Sequence, residues 1–288
     1  MRYRTLLVPV SAPEVGRPVL ETALQLARPF DAHIDVLHVR PDPRGLVPYT
    51  GEGMDGSMIE EIMEVTEREG SDRAARSREM FDAFVAEHGL RCIDQPDETA
   101  GVTLSWRTVV GREDEAVAVE GRLYDVVVVG RPSKDAALPS PITLEAALLD
   151  TGRPILVAPP TATASLGTTA AIAWEGSPEA ARAIADALPL LEQARSVQIL
   201  SCAAAQVSPV PPESLQRRLA WHGIGSNVVR FESAPTDLGA AFLAQSAAIG
   251  ADLLIKGAYS QSRLRQLILG GRTRHILAHA DIPVLLAH

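Results

Sequence analysis

The feature that most constrains this chain is an internal repeat. An Ala-Leu-x-Leu motif at Ala23 recurs at Ala187, an offset of 164 residues, and the segment 125–130 recurs as 252–257, an offset of 127. Repeats of this length indicate two copies of one structural unit. The difference between the two offsets, 164 minus 127, places an insertion of 37 residues in the first copy.

Short apolar segments alternate with amphipathic segments in both copies. This alternation predicts parallel β-strands joined by right-handed crossover helices. We therefore expect an α/β protein made of two tandem, doubly wound, five-stranded parallel-sheet domains of Rossmann-like type. The predicted strands are 5–10, 34–39, 105–110, 126–129 and 154–158 in the first copy, and 170–174, 197–200, 228–231, 253–256 and 283–287 in the second.

The helix ends have recognisable sequence signals. Ser177 and Asp237 are candidate N-caps, and Pro178 suits a first helical position because its missing N–H costs nothing there. Gly223 and Gly250 follow predicted helices, where a left-handed residue commonly ends the helix. The further predicted helices are 58–88, 214–222, 237–249 and 273–279.

We place domain 1 at residues 1–160 and domain 2 at 161–288, with a Pro/Thr/Ala linker at the junction. The insertion, 41–100, contains a Pro/Gly-rich loop and the long charged helix. The last strands, 155–157 and 284–286, are apolar enough to pair with each other, because an exposed apolar edge invites aggregation. Such pairing makes the chain an intramolecular pseudo-dimer.

Charge and composition exclude several classes of protein. The net charge is −9, with −10 in residues 1–160 and +1 in residues 161–288, so the first half would repel nucleic acid. Two cysteines, Cys92 and Cys202, allow neither a disulfide framework nor a multi-thiolate zinc site. Apolar runs are too short to cross a bilayer. We expect a cytoplasmic protein with no nucleic-acid partner and no membrane insertion.

The loop after the fourth strand of the second copy suits a phosphate. It begins at Gly257 and ends at Gly270 and Gly271, where free amides and the helix dipole favour an anion. Four arginines add positive charge: Arg263, Arg265, Arg272 and Arg274. The alternative is that the glycines only shape the backbone and the arginines are solvated or paired with the acidic first half.

This layout resembles that of the universal stress protein family, in tandem form and over nearly the whole chain. The resemblance rests on two segments. In the first, a strand is followed by a loop that begins like Gly-x-x-Gly, has nine further residues and ends in a pair of glycines; a helix and a last strand with Pro-Val-Leu follow. The second is the opening Ala-Trp-Glu-Gly-Ser-Pro-Glu-Ala at 173–180. It implies a HUP-like fold in which the glycine motif holds ATP phosphates. It also implies that an acid ending the first strand, here Glu175, lies in the nucleotide site.

The motif differs from the family pattern at two positions of the second copy. Ser260 replaces the second glycine, and Gly271 replaces the Ser/Thr after the third. The resemblance then predicts one site, for ATP or AMP with Mg²⁺, in domain 2. Its residues would be Gly257, Ser260, Gly270 and Gly271 through their amides, Thr273 through its hydroxyl, and Glu175 near the sugar or the metal ion.

The first copy is degenerate at the same places. Its loop opens Gly130-Arg131-Pro132, with Pro139 and Pro141 further on, and Ser11 stands where the acid is expected. Proline removes amide donors that a phosphate cradle needs. We expect no nucleotide of the family's kind here.

Other candidate sites are weaker. The glycines of 51–56 fit a dinucleotide fingerprint, but the segment lies far from a strand end and carries two acids. His275 and His279 share a helix face without an evident third metal ligand. The long helix carries an acidic and basic face that suits ion pairing, and four methionines cluster near it: Met54, Met58, Met63 and Met80.

No catalytic nucleophile motif is present in the sequence. The leading hypothesis is therefore a non-enzymatic stress-response protein that acts by binding a ligand or an unknown protein partner. The sequence leaves open whether two chains also form a homodimer. One alternative is an ATP-hydrolysing or adenylating enzyme of the same fold, although the Ser-Gly-Gly-x-Asp-Ser loop of those enzymes is missing from both copies. The other is a dimerisation scaffold that binds no nucleotide.

Overall fold

The computed structural model describes residues 2–43, 56–97, 101–132, 139–206, 209–258 and 271–288. In the first half these residues form six strands and four α-helices. The strands are β1 (Thr5–Pro9), β2 (His33–Arg40), β3 (Arg91–Cys92), β4 (Thr103–Val110), β5 (Val126–Gly130) and β6 (Ile155–Ala158). The α-helices are α1 (Pro13–Ala27), α2 (Gly56–His88), α3 (Glu113–Glu120) and α4 (Pro141–Asp150).

The second half repeats this order with shorter connections. Its strands are β7 (Thr169–Trp174), β8 (Ser196–Cys202), β9 (Asn227–Phe231), β10 (Leu253–Gly257) and β11 (Val284–Ala287). Its described α-helices are α5 (Pro178–Leu191), α6 (Pro212–Ala220), α7 (Leu238–Ala248) and α8 (Gly271–His279). All ten predicted strands are confirmed, with ends that shift by one or two residues.

All eleven strands belong to one sheet. Their order is β3-β4-β2-β1-β5-β6-β11-β10-β7-β8-β9. Within each half the pairs are parallel, whereas β6 and β11 pair antiparallel, with Leu156 opposite Leu285. The predicted fold class is confirmed, and so is the pairing of the last strands that joins the two copies.

Helices cover both faces of this sheet, as a doubly wound fold requires. On one face, buried side chains of α1, α2, α5 and α6 form a core with the strands. On the other face, α3, α4, α7 and α8 contribute the second core. Each face of the sheet is therefore covered by helices from both halves.

The predicted caps have mixed outcomes. Ser177 is the N-cap of α5, and its hydroxyl accepts a hydrogen bond from the amide of Ala180 at 3.1 Å. Gly223 and Gly250 have φ of 74° and 63°, the left-handed conformation expected after a helix. Asp237 occupies the predicted N-cap position of α7, but the expected capping hydrogen bond to its side chain is not formed.

The insertion is mostly helix. Helix α2 has 33 residues, whereas its counterpart α6 has nine. Its face is ion-paired as predicted, through Arg68 with Glu64 and Arg78 with Asp82, both four residues apart. Strand β3 was not predicted, because two residues give no periodicity that could identify a strand.

Polar contacts between the halves lie on either side of the central strand pair. The Tyr3 hydroxyl donates to the Asp186 carbonyl at 2.5 Å, and the Gln25 amide donates to the carbonyl of Thr163. Arg131, the residue after Gly130, donates to the Ala280 carbonyl at 2.7 Å. Among the described helices, none is long and apolar enough to cross a membrane.

Candidate functional site

The candidate site of the second half lies where β7 and β10 end side by side. These strands are parallel neighbours, with Lys256 opposite Ala173. Strand order reverses at this point in a doubly wound sheet, and ligands bind outside the carboxyl ends of the strands there. The chain places Glu175 just after β7 and Gly257 at the end of β10.

Glu175 is buried and faces a buried lysine. Its side chain is 4% exposed, that of Lys256 is 3% exposed, and Nζ of Lys256 lies 3.5 Å from Oε1 of Glu175. Lys256 also donates to the carbonyl oxygen of Gly257 at 2.7 Å. Two charges withdrawn from water to this degree are tolerable only as a pair with further hydrogen bonds. The acid predicted to face a nucleotide therefore has a protein counter-ion.

Ser177 connects this ion pair to the start of α5. Its hydroxyl donates to Oε1 of Glu175 at 3.3 Å and accepts from the amide of Ala180. Gly176, between the two side chains, has φ of 74°, which lets the chain turn sharply from β7 into the helix. The first turn of α5 is thus fixed relative to the carboxyl end of β7.

Sequence reasoning missed Lys256. A signal was available, because lysine is the one charged residue in the apolar strand Leu253–Gly257. The repeat strengthens this signal: Lys256 corresponds to Val129 and Glu175 to Ser11, so the first half has neither charge. That joint difference is what a mutually dependent buried pair predicts.

Gly257 has a packing role that sequence could not distinguish from phosphate binding. A Cβ at this position would lie 2.2 Å from the amide nitrogen of Ala180 and 2.6 Å from the carbonyl carbon of Glu179. Both atoms belong to backbone, which cannot move aside as a flexible side chain would. The end of β10 therefore packs directly against the first turn of α5.

The other predicted site residues are only partly described. Gly271 begins α8, and a Cβ there would meet no atom of the described residues within 4 Å. Thr273 is buried, and Arg274 is exposed. Ser260 and Gly270 lie outside the described residues, as do the arginines at 263 and 265. Glu175 and Gly257 thus flank the same first turn of α5.

At the corresponding edge of the first half, the described groups are Ser11, Gly130 and the nearby His38 rather than a charged pair. His38 is buried, donates its Nδ1–H to the Val10 carbonyl at 2.7 Å and stacks on Trp106. Burial lowers the pKa of His38. Ser11 is buried as well, and a Cβ at Gly130 would lie 2.7 Å from the ring of Pro139. Residues 133–138 of this loop lie outside the described part of the chain.

In the described part of the chain, the weaker candidate sites do not acquire a set of metal or nucleotide ligands. His279 contacts the carbonyl of His275 through Nδ1 at 2.8 Å, and their rings stack. Among the described residues, Glu21, Glu87 and His88 are the group with metal-like spacing, but the Arg17 guanidinium already contacts both carboxylates. Met80 packs against Gly16, whereas Met54 and most of 51–56 lie outside the described residues.

Comparison with known proteins decides the family. The model of the universal stress protein family matches residues 2–138 and 168–288, which cover most of the chain in two segments. The chain belongs to the universal stress protein family. It is a tandem member, since each matched segment corresponds to one copy of the repeat.

Solved structures agree with this assignment at the level of fold. A universal stress protein from Archaeoglobus fulgidus DSM 4304 superposes with a TM-score of 0.66 at 17% identity, covering 99% of this chain and 96% of that one. A putative universal stress protein from Pseudomonas aeruginosa UCBPP-PA14 gives 0.54 at 16% identity, covering 99% and 93%. No curated protein matches the sequence significantly.

Two glycines of this universal stress protein provide a matched test of the packing argument. Gly257→Ala should destabilise the protein by about 1–3 kcal/mol or more, because the added methyl group meets backbone of α5. Gly271→Ala should change the free energy of unfolding by less than about 1 kcal/mol, because the added methyl group contacts none of the described residues. Urea unfolding measures both, and equal effects at the two sites would contradict the assignment.

The ion pair has its own test. Lys256→Met should cost about 3–5 kcal/mol, because it removes the ammonium group that faces the buried Glu175 carboxylate. The double variant Lys256→Met/Glu175→Gln should recover most of that loss, since it removes the buried carboxylate charge as well. Chemical denaturation of the three proteins gives the comparison. A single variant as stable as wild type would show that the two charges do not depend on each other.

Proposed function

We propose that this universal stress protein is a non-enzymatic binding protein whose second half holds one anionic nucleotide, ATP or AMP. The observation that carries the proposal is the difference between the two carboxyl edges. The second half has a polar edge built from Glu175, Lys256 and the first turn of α5, whereas the first half has Ser11 and Val129 at the two charged positions. We therefore propose that each chain binds one nucleotide, in its second half.

The phosphates in this proposal are held by backbone amides of the loop from Gly257 to Gly271, with Ser260 and Gly270 between them. Gly271 supports this role, because it begins α8, where amide groups lack helical partners and the dipole favours an anion. Mg²⁺ would accompany ATP as the usual counter-ion of its phosphates.

Two of the predicted residues receive altered roles. Glu175 is buried against Lys256, so we assign it to positioning: it fixes Ser177 and the start of α5 rather than touching the sugar or the metal ion. Pairing with Lys256 also cancels a negative charge that would repel phosphate at this edge. Thr273 is buried, so we assign its hydroxyl to the packing of α8.

The remaining parts of the proposal concern context. We place the domain boundary between residues 160 and 161, and the protein in the cytoplasm, since its cysteines, Cys92 and Cys202, are both free. The protein would act by binding another protein, whose identity the sequence does not reveal. Absence of a nucleophile motif supports binding rather than turnover.

Thermal unfolding of nucleotide-stripped protein tests the proposal. ATP or AMP with Mg²⁺ at about 100 times the dissociation constant should stabilise the protein by about 2.7 kcal/mol, a shift of several degrees in Tm. Gly270→Val should abolish the shift, because a branched side chain would obstruct the cradle. Gly225→Val is the control: its position is open, it lies outside the 257–271 loop, and the shift should persist.

Three outcomes would contradict the proposal. No shift with any nucleotide would leave the scaffold interpretation, in which both glycine loops are structural. A shift that survives Gly270→Val would place the ligand elsewhere. Sustained release of phosphate from ATP by the same pure samples would show that the protein is an enzyme.

A further inference from the structure

An apolar surface covers the outer side of two helices in the first half. Large apolar side chains project into solvent from α3, from the short helical turn that follows it, and from α4. We call this surface the α3–α4 patch. Its members and their exposed fractions are Val119 (59%), Leu123 (77%), Ile142 (57%) and Leu149 (40%).

The members of the patch lie on neighbouring elements, because α3 and α4 run side by side. Near their beginnings, the Thr143 hydroxyl donates to the Glu113 carboxylate at 2.9 Å. At their ends, the Arg122 guanidinium donates to the Asp150 carbonyl at 3.2 Å. The inner sides of the same helices, with Val117, are buried in the core, so the patch is the opposite, outward side.

The second half shows that the fold does not need such a surface. Helix α7 corresponds to α3, and its exposed apolar residues are alanines: Ala240, Ala244, Ala247 and Ala248. Among the described side chains, neither α7 nor α8 exposes a large apolar group. Four of the nine such groups in the described part of the chain thus lie on one pair of helices. Clusters of this kind mark interaction sites rather than ordinary surface.

The charges around the patch favour a second copy of this chain as the partner. Arg122 and Arg153 are exposed beside it, and so are Glu115 and Asp150. A surface with both signs can be complementary to itself under two-fold symmetry. The exposed start of α2 offers the contrast, because its glutamates would repel their own copies: Glu60, Glu61, Glu64, Glu67 and Glu69.

We propose that the α3–α4 patch is the interface through which two copies of this chain form a symmetric dimer. The last strands, which the family resemblance would offer for pairing, are already used within the chain, since β6 pairs with β11. A second copy therefore needs another surface, and this patch supplies apolar side chains within a mixed charged rim. The proposal does not depend on nucleotide binding.

Sedimentation over a wide range of protein concentration tests the dimer. The wild-type chain should move from a 30.7 kDa species to one of twice that mass as the concentration rises. Val119→Asp/Leu123→Asp should weaken association at least about tenfold, because it places carboxylates in a desolvated contact. Ile142→Asp/Leu149→Asp, on the other helix, should do the same.

The control carries the same charge change elsewhere. Met58 and Trp221 are 52% and 87% exposed and lie outside the patch, so Met58→Asp/Trp221→Asp should leave the dimer intact. A wild-type chain that stays monomeric at every concentration would overturn the proposal. So would a dimer that both patch variants leave unchanged, with circular dichroism showing that each variant is folded.

Discussion

The antiparallel pairing of β6 with β11 is the interaction on which the rest of the structure depends. Without this pairing, β6 would be the exposed apolar edge of a six-stranded parallel sheet and β11 that of a five-stranded one. Leu156 lies opposite Leu285, both are fully buried, and one continuous core runs beneath them on each face. Covering both edges at once removes the aggregation hazard of an unpaired apolar strand. The tandem repeat thus joins within one chain two units that would otherwise have to pair as separate chains.

Duplication within one chain also frees the two copies to diverge. Because β6 and β11 run in opposite directions, the carboxyl edges of the two halves face opposite ends of the sheet. The two edges share no residues, so their sequences can differ. The second half keeps a charged pair, Glu175 with Lys256, where the first has Ser11 and Val129. The residue after the first glycine differs too: Arg131 donates to the carbonyl of Ala280, just after α8, whereas the short side chain of Ala258 has no donor.

The sequence predicts the fold almost completely, because strand periodicity and the repeat support each other. It predicts the caps at Ser177 and Gly223 for the same local reasons that form them. It does not reveal the site's electrostatics. Lys256 lies 81 positions from Glu175, and nothing local indicates that they meet. Gly257 is ambiguous in sequence, since a glycine needed for helix packing resembles one needed for phosphate. Strand β3 is too short to carry a periodic signal.

Amide hydrogen exchange most directly tests the central claim that one sheet runs through both halves. Strands β6 and β11 should exchange as slowly as the central strands β1 and β7, because in a continuous sheet their amides open only when the whole protein unfolds. If β6 and β11 instead exchange as fast as the edge strand β9, the two halves are not joined in this way and the account fails.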